Sequence, residues 1–295
     1  MLQNDIIQKL IEKSGKPAQI VMESIYLLEK AQKYLSDKNF TKAICYFEEA
    51  FAVNNYLEKT EFKNSYAHCL ILATNWDKFN TYISDKNNYL QSSGWINSVW
   101  KNEPLNKNFI PVPWYTYPAI EFIEDKLKTS FKVFEFGSGF STFWWASRVE
   151  EIFSVEHNPD FFLKLTKSVP SNSKISLIEN LTTYALEITK YPDSFFDCII
   201  IDGQNRNQCA TFCINKLKIS GFLIFDDSDN HLFNEGVNFL SHNGFKRIDF
   251  YGMIPCYTIK CCTSIFFRDD SFLINDNLPS QKESCLGKTY YQNNG

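Results

Sequence analysis

From residue 1 to 93 the apolar positions recur three and four apart, with no Gly or Pro beyond the Gly15 to Pro17 stretch. That spacing puts them on one face of a helix, so the first third of the chain is expected to be all-α. Past Pro113 the pattern changes to short runs that are apolar at nearly every position: 133–136, 152–156, 175–178, 198–202 and 222–226. Each is separated from the next by helix-length sequence, as strands buried on both faces of a parallel sheet should be. A helix over 117–128 is expected to lead into them. Two further strand-like runs, 247–251 and 264–268, are joined by GMIPCYTIKCCT, which Gly252 and Pro255 interrupt. This segment is too short and broken for a crossover helix, so the last two strands should pair antiparallel. The expected fold is a doubly wound, mostly parallel α/β sheet preceded by helices. Ser-Ser-Gly, Asn and Pro-containing turns between Ser92 and Pro113 place the boundary near Asn102 to Asn108. The divisions are then a helical region over 1–100, the α/β domain over 101–270 and a polar tail over 271–295.

Within the helical region, AQKYLSDKNFTKAICYFEEAFAVNN resembles a tetratricopeptide repeat. Leu35 falls on the first helix, Asn39 and Phe40 in the turn, and Ala43, Phe47 and Ala50 on the second helix. Asn39 stands where that family usually has Gly, and Asn55 where it often has Pro. A following repeat around Trp76 to Phe79 matches poorly. Since about three repeats are needed for independent stability, the helices are expected either to cap the rest of the chain or to offer a protein partner a surface.

Composition narrows the possible functions. A formal net charge of -4 and a pI near 5.7 give no basic face on average, which disfavours nucleic acid and leaves small acceptors. Nine cysteines in no paired C-x-x-C spacing suit reduced thiols of a cytoplasmic protein. The N-terminus alternates apolar and charged residues, unlike a secretory signal, and no run reaches bilayer length, so no membrane is expected.

The chemistry centres on VFEFGSGFST. A strand, then Gly137-Ser138-Gly139, then a helix starting near Ser141 presents backbone N–H groups and a positive helix end to a carboxylate or phosphate. A dinucleotide fingerprint wants a third small residue where Thr142 stands, and acidic Glu135 would repel a pyrophosphate but accommodate an amino acid's ammonium. Glu156 ends the second strand about twenty residues after the first Gly, where a carboxylate can accept from both ribose hydroxyls. The stretch thus resembles the first motif of class I S-adenosylmethionine-dependent methyltransferases, over Pro113 to Arg268. The resemblance implies a Rossmann-like sheet with its last strand antiparallel and S-adenosylmethionine as cofactor. It also implies backbone approach at Gly137 and Gly139, with hydroxyls from Ser138, Ser141 and Thr142. Glu179 and Asn180 follow the third strand, where the family reads adenine; His157 could line the ribose pocket; Trp114 and Tyr115 lie in the segment that often folds over the cofactor.

Groups for the transfer should come from the strand carboxyl ends. Two clusters fall there: Asp202 to Arg206 after the fourth strand and Asp226 to His231 after the fifth. Asp202, Asp226 or His231 could serve as general base, and Asp226 to Asn230 could equally cap a helix. Arg206 could hold an acceptor's anion or pair with Asp202. Catechol-type O-methyltransferases hold magnesium with an Asp after the fourth strand and Asp-Asn after the fifth, which makes Asp202, Asp226 and Asp227 candidate ligands for Mg2+. Tyr257 and Lys260 belong to the same rim. The expected function is methylation of an oxygen or nitrogen on a small polar acceptor, such as a sugar or another metabolite. An aminopropyltransferase of the same fold and a non-catalytic interaction module are the alternatives.

Overall fold

The computed structural model describes residues 4–60, 62–73 and 89–274. In the N-terminal part the three-and-four spacing becomes helices α1 (Asn4–Ser14), α2 (Ala18–Ser36), α3 (Phe40–Val53) and α4 (Phe62–Ala73). Pro17 precedes α2 with φ -54, already close to helical, and lacks only an N–H that the first turn leaves unpaired. Asn39 takes the position where a Gly was expected because its side chain caps α3, accepting from the Lys42 N–H at 3.3 Å. Phe40, expected in the turn, is instead the first residue of α3. Val21, Ile25 and Leu28 of α2 face Ala43, Phe47 and Ala50 of α3 in one buried cluster, where the alanines let the helices approach closely. Trp76 to Phe79 lie outside the described residues, as do 275–295, which make up nearly all of the polar tail. By internal contacts the chain divides into two units, Met1–Lys86 and Asn87–Gly295.

After a helical turn at Tyr89–Ser92, the second unit carries α5 (Trp95–Lys101) and α6 (Tyr117–Glu124) and continues with alternating strands and helices. They are β1 (Lys132–Phe136), α7 (Phe140–Ala146), β2 (Glu151–Glu156), α8 (Pro159–Leu165), β3 (Ser173–Leu177), β4 (Phe196–Ile201), α9 (Arg206–Cys213) and β5 (Leu217–Phe225). Helix α10 (Asn234–His242) then leads to β6 (Lys246–Met253) and β7 (Lys260–Phe267). Helix α6 stops short of the expected Lys128 because the Lys126 N–H bonds the Ile123 carbonyl, tightening the turn after Glu124.

The seven strands lie in the order β3-β2-β1-β4-β5-β7-β6. The first five are parallel, whereas β7 runs antiparallel to both β5 and β6. This is the sheet expected from the apolar runs, with the broken segment after β6 acting as a hairpin connection. Phe134, Phe153, Phe196, Ile199 and Phe266 fill the core beside it. The chain winds outward from β1 to β3 and then returns to β4 on the other side of β1. The crevice above the carboxyl ends of β1 and β4 is therefore the topological switch point, where such sheets bind ligands. No helix among the described residues is long and apolar enough to cross a membrane.

Candidate functional site

Two glycines set the floor of that crevice. Gly137 leaves β1 at φ 93, a left-handed conformation that disfavours a side chain, and its N–H bonds the Val155 carbonyl at 3.0 Å. A Cβ there would lie 2.7 Å from the Gly203 Cα, and one on Gly203 would lie 2.8 Å from the Gly137 nitrogen and run into the Tyr184 hydroxyl. The loops after β1 and β4 thus touch backbone to backbone. A cavity of about 490 Å³ opens beside them, within the roughly 300–1,000 Å³ of small-molecule pockets. Gly137, Ser138, Gly139 and Ser141 line it on the β1 side.

Glu135, expected to meet a ligand's ammonium, is fully buried behind this loop and is not on the cavity wall. Its carboxylate accepts from Ser141 Oγ at 2.5 Å, Thr142 Oγ1 at 2.5 Å and Ser154 Oγ at 2.6 Å. Burial pushes its pKa up to about 7, against those three hydroxyls, which favour the ionised form. Thr142 is also turned inward, and its Oγ1 accepts from the Gly139 N–H at 2.9 Å while donating to Glu135. One N–H expected to face a ligand is thereby used inside the loop. Glu135 and Thr142 shape the glycine turn from behind.

On the β2 side Glu156 does line the cavity. Its Oε1 accepts from the backbone N–H of His157 at 2.9 Å and of Asn158 at 2.7 Å, which fixes the carboxylate's orientation. Its Oε2 is left with Ser138 Oγ at 3.4 Å. His157 stands on the wall with Nδ1 3.1 Å from Glu156 Oε1. Glu179 and Asn180, expected at an adenine, are exposed and off the wall. Asn180 Oδ1 instead accepts from the Thr182 N–H at 2.9 Å and caps the helical turn that follows. Phe161 and Asn158 complete this side. Both lie on a run that reads as an ordinary helix start, which is why the spacing did not single them out.

After β4, Asp202, Gln204 and Arg206 line the opposite wall. Arg206 is consumed internally. Its guanidinium lies 3.1 Å from Asp202 Oδ1 and 3.4 Å from Asp227 Oδ2, and it donates to the carbonyls of Asp226 at 2.5 Å and Gly203 at 3.1 Å. Burial works against its charge, but the three aspartates outweigh it. Burial raises Asp202 to about 6, with Arg206 opposing and Asp227 adding. Burial also holds Asp226 well above the ordinary carboxylate range, together with the neighbouring Asp202 and Asp227. Asp226 is turned off the cavity wall, accepting from Thr263 Oγ1 at 2.5 Å.

This geometry does not fit the magnesium expectation. The guanidinium sits among Asp202, Asp226 and Asp227, and Asp227 turns away at φ 52 to pair with it. Among the described residues no group of three or more His, Cys, Asp or Glu is placed to hold a metal ion. His231 is exposed in a helical turn that Asn230 caps, off the cavity wall, so it is not positioned as a base.

The remaining wall comes from the segment before the sheet, through Pro104 and Trp114. Trp114 stacks on Tyr257, with ring centroids 5.8 Å apart and planes 12° apart, and its Nε1 donates to the Pro255 carbonyl at 2.8 Å. Next to it Tyr115 is fully buried, and neither its hydroxyl nor Trp145 Nε1 has a hydrogen-bond partner among the described residues. Trp144 and Trp145 are both core side chains.

No protein-family model matches the chain, and no curated protein does. Solved structures match about half of the chain. One is a precorrin-6y C5,15-methyltransferase from Geobacter metallireducens GS-15, at 15% identity and TM-score 0.43, over 52% of this chain and 88% of that one. A spermidine synthase from Thermotoga maritima matches at 17% identity and TM-score 0.40, over 56% and 66%. A TehB-like SAM-dependent methyltransferase from Corynebacterium glutamicum matches at 10% identity and TM-score 0.38, over 50% and 86%. The chain's own sheet is seven-stranded, with β7 antiparallel to both of its neighbours.

Proposed function

We propose that the chain is an S-adenosylmethionine-dependent methyltransferase acting on an oxygen or nitrogen of a small polar acceptor. The observation that carries this reading is Glu156. It ends the strand next to β1, one carboxylate oxygen is fixed by two backbone N–H groups, and the other is left with only a long contact to Ser138. A carboxylate so oriented suits a pair of ribose hydroxyls. The cradle also fits an amino acid next to the glycine turn. A Cβ on Gly139 would meet nothing nearer than Ser141 Oγ at 3.9 Å, so the missing side chain leaves room on the cavity side of the loop.

Held at Glu156 and the glycine turn, the cofactor would supply an electrophilic methyl group for transfer to the acceptor. The chain's own residues orient and deprotonate. Asp202, held by Arg206 on the wall opposite Glu156, is the group placed to take the acceptor's proton, with Arg206 positioning it. The aminopropyltransferase alternative needs acidic residues open to a polyamine, and here Arg206 already occupies the aspartate cluster. Thermal unfolding with S-adenosylmethionine and with its decarboxylated form separates the readings. Stabilisation mainly by the former is expected. A preference for the decarboxylated form would favour aminopropyl transfer, and no shift with either would leave a non-catalytic module.

A further inference from the structure

Glu156 lies on the β2 side of β1, whereas β5, β7 and β6 lie on the far side of β4. Trp114 belongs to that far side, because its stacking partner Tyr257 sits in the connection between β6 and β7. If the ribose lies at Glu156, the second reactant must use the rest of the cavity, whose lining includes Trp114 and Asp202. What Trp114 offers there is restricted. Tyr257 stacks against the indole and the indole's only donor is committed to the Pro255 carbonyl, so what the exposed part of the side chain offers is apolar ring surface. The plane is also held in place: the Tyr257 carbonyl accepts from Trp95 Nε1 at 2.9 Å, which ties the same loop to α5. The same cavity is lined by Asp202 and by the exposed Gln204, whose carboxamide has no side-chain partner among the described residues. A flat apolar face in the same cavity as the Gln204 carboxamide and the Arg206-paired Asp202 matches a ring that carries hydroxyls; an acyclic polyol could use the polar groups but not the face.

We propose that Trp114 is the platform of the acceptor subsite and that the acceptor is a hydroxylated ring, a carbohydrate or a phenol, whose flat face lies on the indole. This rests on the methyl-transfer reading of the same cavity. The two sources share the face-to-ring contact and differ in whether C–H groups or a π system meet the indole.

Calorimetric titration of the full chain, saturated with S-adenosylhomocysteine, tests the assignment with catechol and methyl β-glucoside as ring probes and sorbitol as the ring-less control. At least one ring probe is expected to bind and sorbitol not to, and whichever ring binds identifies the source. Trp114→Leu should weaken that binding about two- to ten-fold, the worth of one aromatic contact. Trp114→Phe, which keeps a ring on Tyr257, should stay within about two-fold and guards against a folding defect. Both variants should bind S-adenosylhomocysteine as the parent chain does. The assignment is overturned if neither ring probe binds, if sorbitol binds equally, or if Trp114→Leu leaves ring binding unchanged. It is also overturned if the loss falls on S-adenosylhomocysteine instead, since Trp114 would then serve the cofactor. Failure of the parent chain to bind S-adenosylhomocysteine is a separate result, which overturns the methyl-transfer reading itself.

Discussion

At the scale of single residues, Glu156 and Glu135 make opposite use of one side-chain chemistry. Glu156→Ala removes the acceptor assigned to the ribose and should weaken S-adenosylhomocysteine binding by about 1.5–3 kcal/mol in a calorimetric titration; unchanged affinity would take Glu156 out of the site. For Glu135 the readout is stability against pH. Its native pKa of about 7 lies above the unfolded value near 4.5, so between those values the native state holds the extra proton. Stability should therefore fall as pH is raised from about 4.5 to 7 and level off above. Glu135→Gln should reduce that slope in urea titrations. An undiminished slope would assign it to Asp202 and Asp226, whose carboxyls are also raised. The place of Glu156 on the cavity wall was legible in the sequence because it depends on spacing along the chain, which a strand fixes. The inward turn of Glu135 was not, because it depends on Ser141, Thr142 and Ser154 converging from two other elements. Arg206 was legible only as a choice between acceptor and Asp202, and the fold decides it by bringing Asp227 and two carbonyls within its reach.

At the scale of elements, the glycine turn and the aspartate cluster make further tests. Gly137→Ala adds a methyl that meets the loop after β4 in a left-handed backbone, and should cost at least about 1–3 kcal/mol in denaturant unfolding. A neutral result would mean that the two loops can part. With the guanidinium among the three aspartates, neither chelator nor added magnesium should change S-adenosylhomocysteine binding; a chelator-sensitive affinity would restore the metal. The central strands β1, β2 and β4 could be read from apolar runs because burial on both faces leaves so little room for polar residues, whereas the edge strands β3 and β6 are only half-buried. The walls of the cavity could not. Pro104 and Trp114 reach the site from before the sheet, through the Trp114 contact with Tyr257 far along the chain, and no local period encodes such a contact.

At the scale of the whole molecule, ligand and fold are linked. S-adenosylhomocysteine at about a hundred times its dissociation constant should stabilise the native state by about 2.7 kcal/mol, visible as a raised unfolding temperature. The Glu156→Ala variant should lose most of that gain at the same concentration, and equal gains would place the ligand elsewhere. The meeting of Gly137 and Gly203 bears on what the crevice can hold. Where two backbones touch with no side chain between them, there is nothing to rotate aside and no slack to take up. The floor of the crevice is then a fixed template: a ligand must match its shape, because the floor cannot mould itself to the ligand.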